Sequence, residues 1–138
     1  MFVKELTKKY DGKAVVDGVS FDIPKRSVIS MIGPNGAGKS TVLNILSRLI
    51  ARDSGLVDFE GQDISHWKSK ELAKRLAILT QSNNIQMKLT VQELVTFGRF
   101  PYSGNHVTGE DMAIVERAIQ YMDCLLYTSP SPRDRQKS

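Results

Sequence analysis

Residues 27–50 read SVISMIGPNGAGKSTVLNILSRLI, and this stretch decides the fold. Its first part, SVISMI (27–32), is a short apolar run, partly β-branched, of the kind found in strands buried on both faces. Its last part has helical spacing. Val42, Leu43, Ile45, Leu46, Leu49 and Ile50 make a broad apolar face. Arg48 and Arg52 fall near the C-terminal end of that helix, where the dipole favours positive charge. Between the two parts, Gly33 to Thr41 fits G-x-x-x-x-G-K-S/T.

Phosphate binding needs these residue types at this spacing. Glycines reach backbone conformations closed to other residues and bring N–H groups close to phosphate oxygens. The helix predicted to start near Gly38 aims a partial positive charge at the same place. Lys39 can reach terminal phosphates, and the Ser40 hydroxyl can ligate Mg²⁺, which keeps few protein ligands. The plain alternative is a glycine-rich turn capping a helix. A buried strand entering and an amphipathic helix leaving is the context that phosphate binding requires.

Outward from the loop, residues 2–10 alternate as a strand ending at Tyr10, DGK is a turn, and VSFDIP (19–24) is a second strand closed by Pro24. Downstream, DSG (53–55) is a turn and LVDFEG another strand. Ser69 is a candidate cap for a helix KELAKRL, and LAILT (76–80) reads as a second buried strand. Thr90 and Glu93 form a capping box before VQELVTFG. Thr108 and Asp111 repeat it loosely before a helix with Met112, Val115, Ile119 and Met122 on one face.

GPNGAGKST preceded by SFDIPKRSVISMI resembles the ATP-binding subunit of ABC transporters. SRLIARDSGLVDFEGQDI and LAILTQ are similar to the stretches that follow in that family, and LTVQELVTFGRFPYSG (89–104) resembles its iron–siderophore importer branch, which also handles haem or cobalamin. The resemblance covers about residues 2 to 123. It implies an α/β P-loop NTPase fold: an antiparallel β subdomain plus an incomplete RecA-like parallel-sheet core. It implies ATP and Mg²⁺ as cofactors and places Tyr10 against adenine, where a ring face binds a base without demanding hydrogen bonds. Gly33, Asn35, Gly36, Ala37, Gly38, Lys39, Ser40 and Thr41 match the phosphate and magnesium contacts, and Gln81 the Q-loop glutamine, a ligand of Mg²⁺ or of the attacking water. Lys39 and Gln81 are thus the expected catalytic groups, Ser40 and Gln81 the metal ligands. The resemblance also implies a dimer with a second ATP-binding subunit on the cytoplasmic face of a bacterial membrane. Residues 82–105 would dock on transmembrane permease subunits. Phe97, Phe100 and Tyr102 fit such an interface or a core equally well.

The family's LSGGQ-type signature, the Walker B strand with its catalytic Glu and the switch histidine do not occur in this sequence. The expected organisation is therefore residues 1–124 as the N-terminal part of an ABC ATP-binding domain and 125–138 as a disordered, non-native tail. The tail's YTSPSPRDRQKS has no periodicity, two Ser-Pro steps and high polarity, and it looks like a translated sequencing adapter. On this reading the chain binds ATP without turning it over, because the carboxylate that orients water is not among its residues.

The 138 residues fit one domain, and 41% hydrophobic with 25% charged residues is ordinary for a globular protein. The net charge of +4 is not gathered into a stripe in the body, so nucleic acid is not an expected partner. Cys124 is the one cysteine, which excludes an internal disulfide. The N-terminal residues carry no apolar signal-peptide region, and the longest apolar-rich stretch, VLNILSRLI, is too short to span a bilayer. His66, Trp67 and His106 lack metal-ligand spacing and read as surface or packing residues. Three alternatives stay open: an ABC ATPase for another cargo, a small P-loop kinase or GTPase, and a non-catalytic nucleotide-binding module.

Overall fold

Side chains alternate across a strand, so Val3 and Leu6 would lie on opposite faces of a regular one. In β1 (Phe2–Tyr10) both are fully buried. The computed structural model, which describes residues 1–81 and 88–122, shows how. Glu5 takes φ 52°, and the ladder register shifts across it toward both neighbouring strands. This irregularity turns the second half of β1 over and returns Leu6 to the core face. The Glu5 N–H donates to Ser20 Oγ at 2.8 Å, and the Gly18 N–H to Thr7 Oγ1 at 3.0 Å, so backbone groups displaced from the ladder find side-chain partners.

Around β1 stand β2 (Lys13–Asp22), β3 (Ser54–Phe59) and the two-residue β4 (Gln62–Asp63), in the order β2-β1-β3-β4, all antiparallel. β2 starts earlier than the predicted 19–24, directly after a turn at Asp11 and Gly12. Helix α1 (Lys39–Leu46) lays Val42, Ile45 and Leu46 on Val3, Leu6, Val16 and Val57 of the sheet, with Ile64 and Leu72 completing the core. Each such side chain contributes about 1.5–3 kcal/mol on burial. Trp67 packs at the edge of this core, tilted on Phe59, with its indole N–H donating to the Phe59 carbonyl at 3.1 Å.

α1 stops short of the predicted Ile50, and Arg48 turns into the left-handed region at φ 57°. Leu43 and Leu49 are left exposed. The two arginines do not extend a helix end. Arg48 donates to the Ile64 and Trp67 carbonyls (3.3 and 2.6 Å) and to Ser69 Oγ (2.7 Å); Arg52 pairs with Asp63 at 2.6 Å. Ser69 is thus an acceptor at the first position of α2 (Ser69–Ala73), not its cap, which is Lys68.

The strands predicted at 27–32 and 76–80 do not form. Val28 and Ile32 are 95% and 93% exposed and Leu79 is 89% exposed. A strand buried on both faces needs a ladder neighbour and cover above and below. Among the described residues neither run has such a neighbour, so the antiparallel part of the expected fold is present and its parallel sheet is not.

The chain divides into two units, Met1–Ile78 and a second beginning at Leu79. The second holds α3 (Val91–Thr96), a 3₁₀ turn (Phe97–Arg99), α4 (Phe100–Ser103) and α5 (Gly109–Tyr121). Both predicted capping boxes are made, Thr90 with Glu93 and Thr108 with Asp111. On α5, Val115 is buried as predicted, whereas Met122 lies past the helix end and is exposed. Residues 82–87, Cys124 and the predicted tail lie outside the described residues.

Candidate functional site

Between Ile32 and α1 the chain makes one tight loop. The Ala37 N–H donates to the Pro34 carbonyl at 3.2 Å, closing a turn, and Gly36 and Gly38 take φ 82° and 88°. Gly38 has a second constraint. A Cβ there would lie 2.7 Å from the Val15 carbonyl oxygen and within 3.5 Å of the Val15 and Val16 side chains. A glycine is thus required both by the backbone conformation and by the close approach of loop to β2. No acidic residue lies in the first turn of α1 and no side chain caps it, so the N–H groups at the helix start face an exposed loop.

Lys39 Nζ folds back over this loop and donates to the Gly33 and Pro34 carbonyls, each at 2.6 Å. Gly33, Asn35, Gly36, Ala37 and Ser40 are exposed; Gly38 and Thr41 are half-buried. An ammonium, an uncapped helix start and two left-handed glycines, with no carboxylate in the first turn, form a donor set that fits an anion. The ammonium can exchange its two carbonyls for phosphate oxygens. Among the described residues no group of three or more His, Cys, Asp or Glu could hold a metal ion. Ser40, next to Lys39 in the chain, has its hydroxyl on an exposed residue.

Tyr10 ends β1 in register with Lys13, two residues before Val15, which touches the loop at Gly38. Its ring is 46% exposed, with the Lys8 ammonium 5.2 Å from its centre. Tyr10 and residues 33–41 both belong to the first unit. Gln81 is exposed and belongs to the second unit.

Two arrangements were not legible as site features in the sequence. Asp53 accepts the Lys9 N–H at 2.6 Å and faces Lys8 Nζ at 3.5 Å. The Lys9 N–H, and secondarily Lys8, hold its carboxyl below the ordinary range. In the second unit Asp111, 1% exposed, accepts from Ser103 Oγ, from the Thr108 N–H and hydroxyl (3.0 and 2.8 Å) and from Arg99 Nε (2.7 Å). The Ser103 hydroxyl above all, then the Thr108 N–H and Arg99, hold the Asp111 carboxyl far below the usual carboxylate range. The capping box at Thr108 was the one sequence signal for this cluster. Phe97, Phe100 and Tyr102 are about half exposed, which places them at a surface and not in a core.

Residues 16–135 match the ABC transporter family. Among curated proteins, the chain is 50% identical over 120 residues to the petrobactin import ATP-binding protein YclP of Bacillus subtilis, covering 87% of this chain and 48% of that protein. It is 37% identical over 113 residues to the iron(3+)-hydroxamate import ATP-binding protein FhuC of Bacillus subtilis, covering 80% and 42%. It is 39% identical over 119 residues to the ferric enterobactin transport ATP-binding protein FepC of Escherichia coli, covering 85% and 44%. The chain thus spans about half the length of the curated relatives it matches. Among solved structures, a dimeric bacterial ABC transporter cassette superposes with a TM-score of 0.72 at 27% identity, covering 88% of this chain and 55% of that one. Phosphate loop, antiparallel sheet and matched span agree: the chain belongs to the ABC transporter family and carries part of its ATP-binding domain.

Proposed function

We propose that this chain is the nucleotide-gripping part of the ATP-binding subunit of a bacterial importer, with ferric siderophore as the cargo. The observation that carries the reading is the loop of Gly33 to Thr41, whose ammonium, glycines and helix start form an exposed anion cradle. Lys39 would hold the terminal phosphates, Ser40 would ligate Mg²⁺, and the Tyr10 ring would stack on adenine. Gly33, Asn35, Gly36, Ala37, Gly38 and Thr41 line the phosphates. The cargo assignment is supported by the names of the petrobactin, hydroxamate and enterobactin import proteins that the chain resembles.

The whole protein works as a dimer on the cytoplasmic face of the membrane and couples ATP hydrolysis to uptake. It docks on permease subunits through residues 82–105, where half-exposed Phe97, Phe100 and Tyr102 offer apolar contact. Among the described residues no helix is long and apolar enough to cross a membrane. Residues 1–124 form part of the ATP-binding domain.

Transport in reconstituted vesicles tests this reading. The full-length protein, joined to the permease encoded beside it, is expected to drive ATP-dependent uptake of a ferric siderophore. Uptake of haem or cobalamin instead would overturn the cargo, and absence of any ATP-driven uptake would overturn the function.

A further inference from the structure

We propose that Lys8 and Asp53 form a positioning pair that fixes the Tyr10 ring for adenine, so that nucleotide affinity depends on two residues that do not touch the nucleotide. The inference rests on the reading that Tyr10 stacks on the base. The Lys8 ammonium stands 5.2 Å from the centre of the Tyr10 ring, within reach of a cation–π attraction. A lysine ammonium on a flexible stem would not hold that place by itself. Asp53 holds it. One carboxylate oxygen faces Lys8 Nζ at 3.5 Å, and the other accepts the Lys9 N–H at 2.6 Å. The Asp53 N–H in turn donates to the Thr7 carbonyl at 3.0 Å. Asp53 is thereby tied to the β1 backbone on both sides of Lys8, by its carboxylate at Lys9 and its N–H at Thr7, and the Lys8 side chain is only 16% exposed.

Asp53 lies directly before β3, while Lys8 and Tyr10 lie on β1, so one carboxylate ties the entry of β3 to the strand that carries the ring. The ring, still about half exposed, keeps surface for a base. The bond from Asp53 to the Lys9 backbone sets the strand, and the Lys8 ammonium sets the ring above it.

The test compares two probes on the full chain, ATP and inorganic tripolyphosphate. Tripolyphosphate reads the phosphate loop alone and reports whether a variant has kept its fold. Lys8→Met is expected to weaken ATP about two- to fivefold, the range of an exposed cation–π contact, and to leave tripolyphosphate unchanged. Asp53→Asn is expected to act in the same direction, and Lys8→Arg to retain ATP affinity. In a Tyr10→Ala background, Lys8→Met should cost nothing further, because the ring it positions is gone. An equal loss of ATP affinity in that background, or a matching loss with tripolyphosphate, would overturn the proposal while leaving Tyr10 stacking intact. ATP affinity unchanged in Tyr10→Ala alone would remove the stacking reading, and this inference with it.

Discussion

Gly38→Ala is expected to cost the chain about tenfold to hundredfold in ATP affinity, read by isothermal titration. Two effects add. The residue sits at φ 88°, where an L side chain is strained, and the new Cβ would lie 2.7 Å from the Val15 carbonyl oxygen. That neighbour is backbone of β2, not the end of a flexible side chain, so the contact is not cheaply relieved. Gly36→Ala is the internal comparison. It carries similar strain at φ 82°, but nothing lies within 4 Å of its Cβ. Its loss should be the smaller of the two. If Gly36→Ala proves as damaging, the close approach of loop to β2 does not shape the site.

Asp111→Ala should be the most damaging polar substitution in the second unit. It removes one acceptor from four donors at once and strands Arg99, whose side chain is largely buried and whose guanidinium also lies 4.0 Å from the Tyr102 ring. Amide exchange over Gly109–Tyr121 is expected to quicken by about tenfold to hundredfold, while the first unit keeps its protection. Unchanged exchange would show that α4 and α5 are held by their apolar contacts alone. The pH dependence has a definite sign. The folded carboxyl titrates below its unfolded value, so its contribution is complete above the ordinary aspartate range near pH ~4 and fades as pH falls below that range. Asp111→Asn should remove this part of the acid sensitivity.

How far the sequence could be read depended on whether each signal was local. The capping boxes at Thr90 and Thr108, the loop from Gly33 to Thr41 and the first strand through Tyr10 are written in residues a few positions apart, and all are found. The bulge at Glu5 escaped because alternation alone carries no sign that Val3 and Leu6 share a face. The early end of α1 escaped for a related reason: periodicity continued through Leu49 and Ile50, but Arg48 turns into the left-handed region and donates to the distant Ile64 and Trp67 carbonyls. The strands expected at 27–32 and 76–80 depend on ladder partners that the described residues do not supply. Asp53 and Arg99 make their contacts with residues 44 and 12 positions away, distances at which no sequence pattern speaks.

The central claim is that Lys39 and the loop around it grip the phosphates of ATP. Equilibrium binding of Mg²⁺-ATP to the full chain, set beside Lys39→Ala under the same conditions, tests it most directly. The account predicts saturable binding at one site, with ATP preferred to GTP, and loss of that binding in Lys39→Ala while the circular dichroism spectrum stays the same. Undiminished ATP binding in a folded Lys39→Ala chain would contradict it.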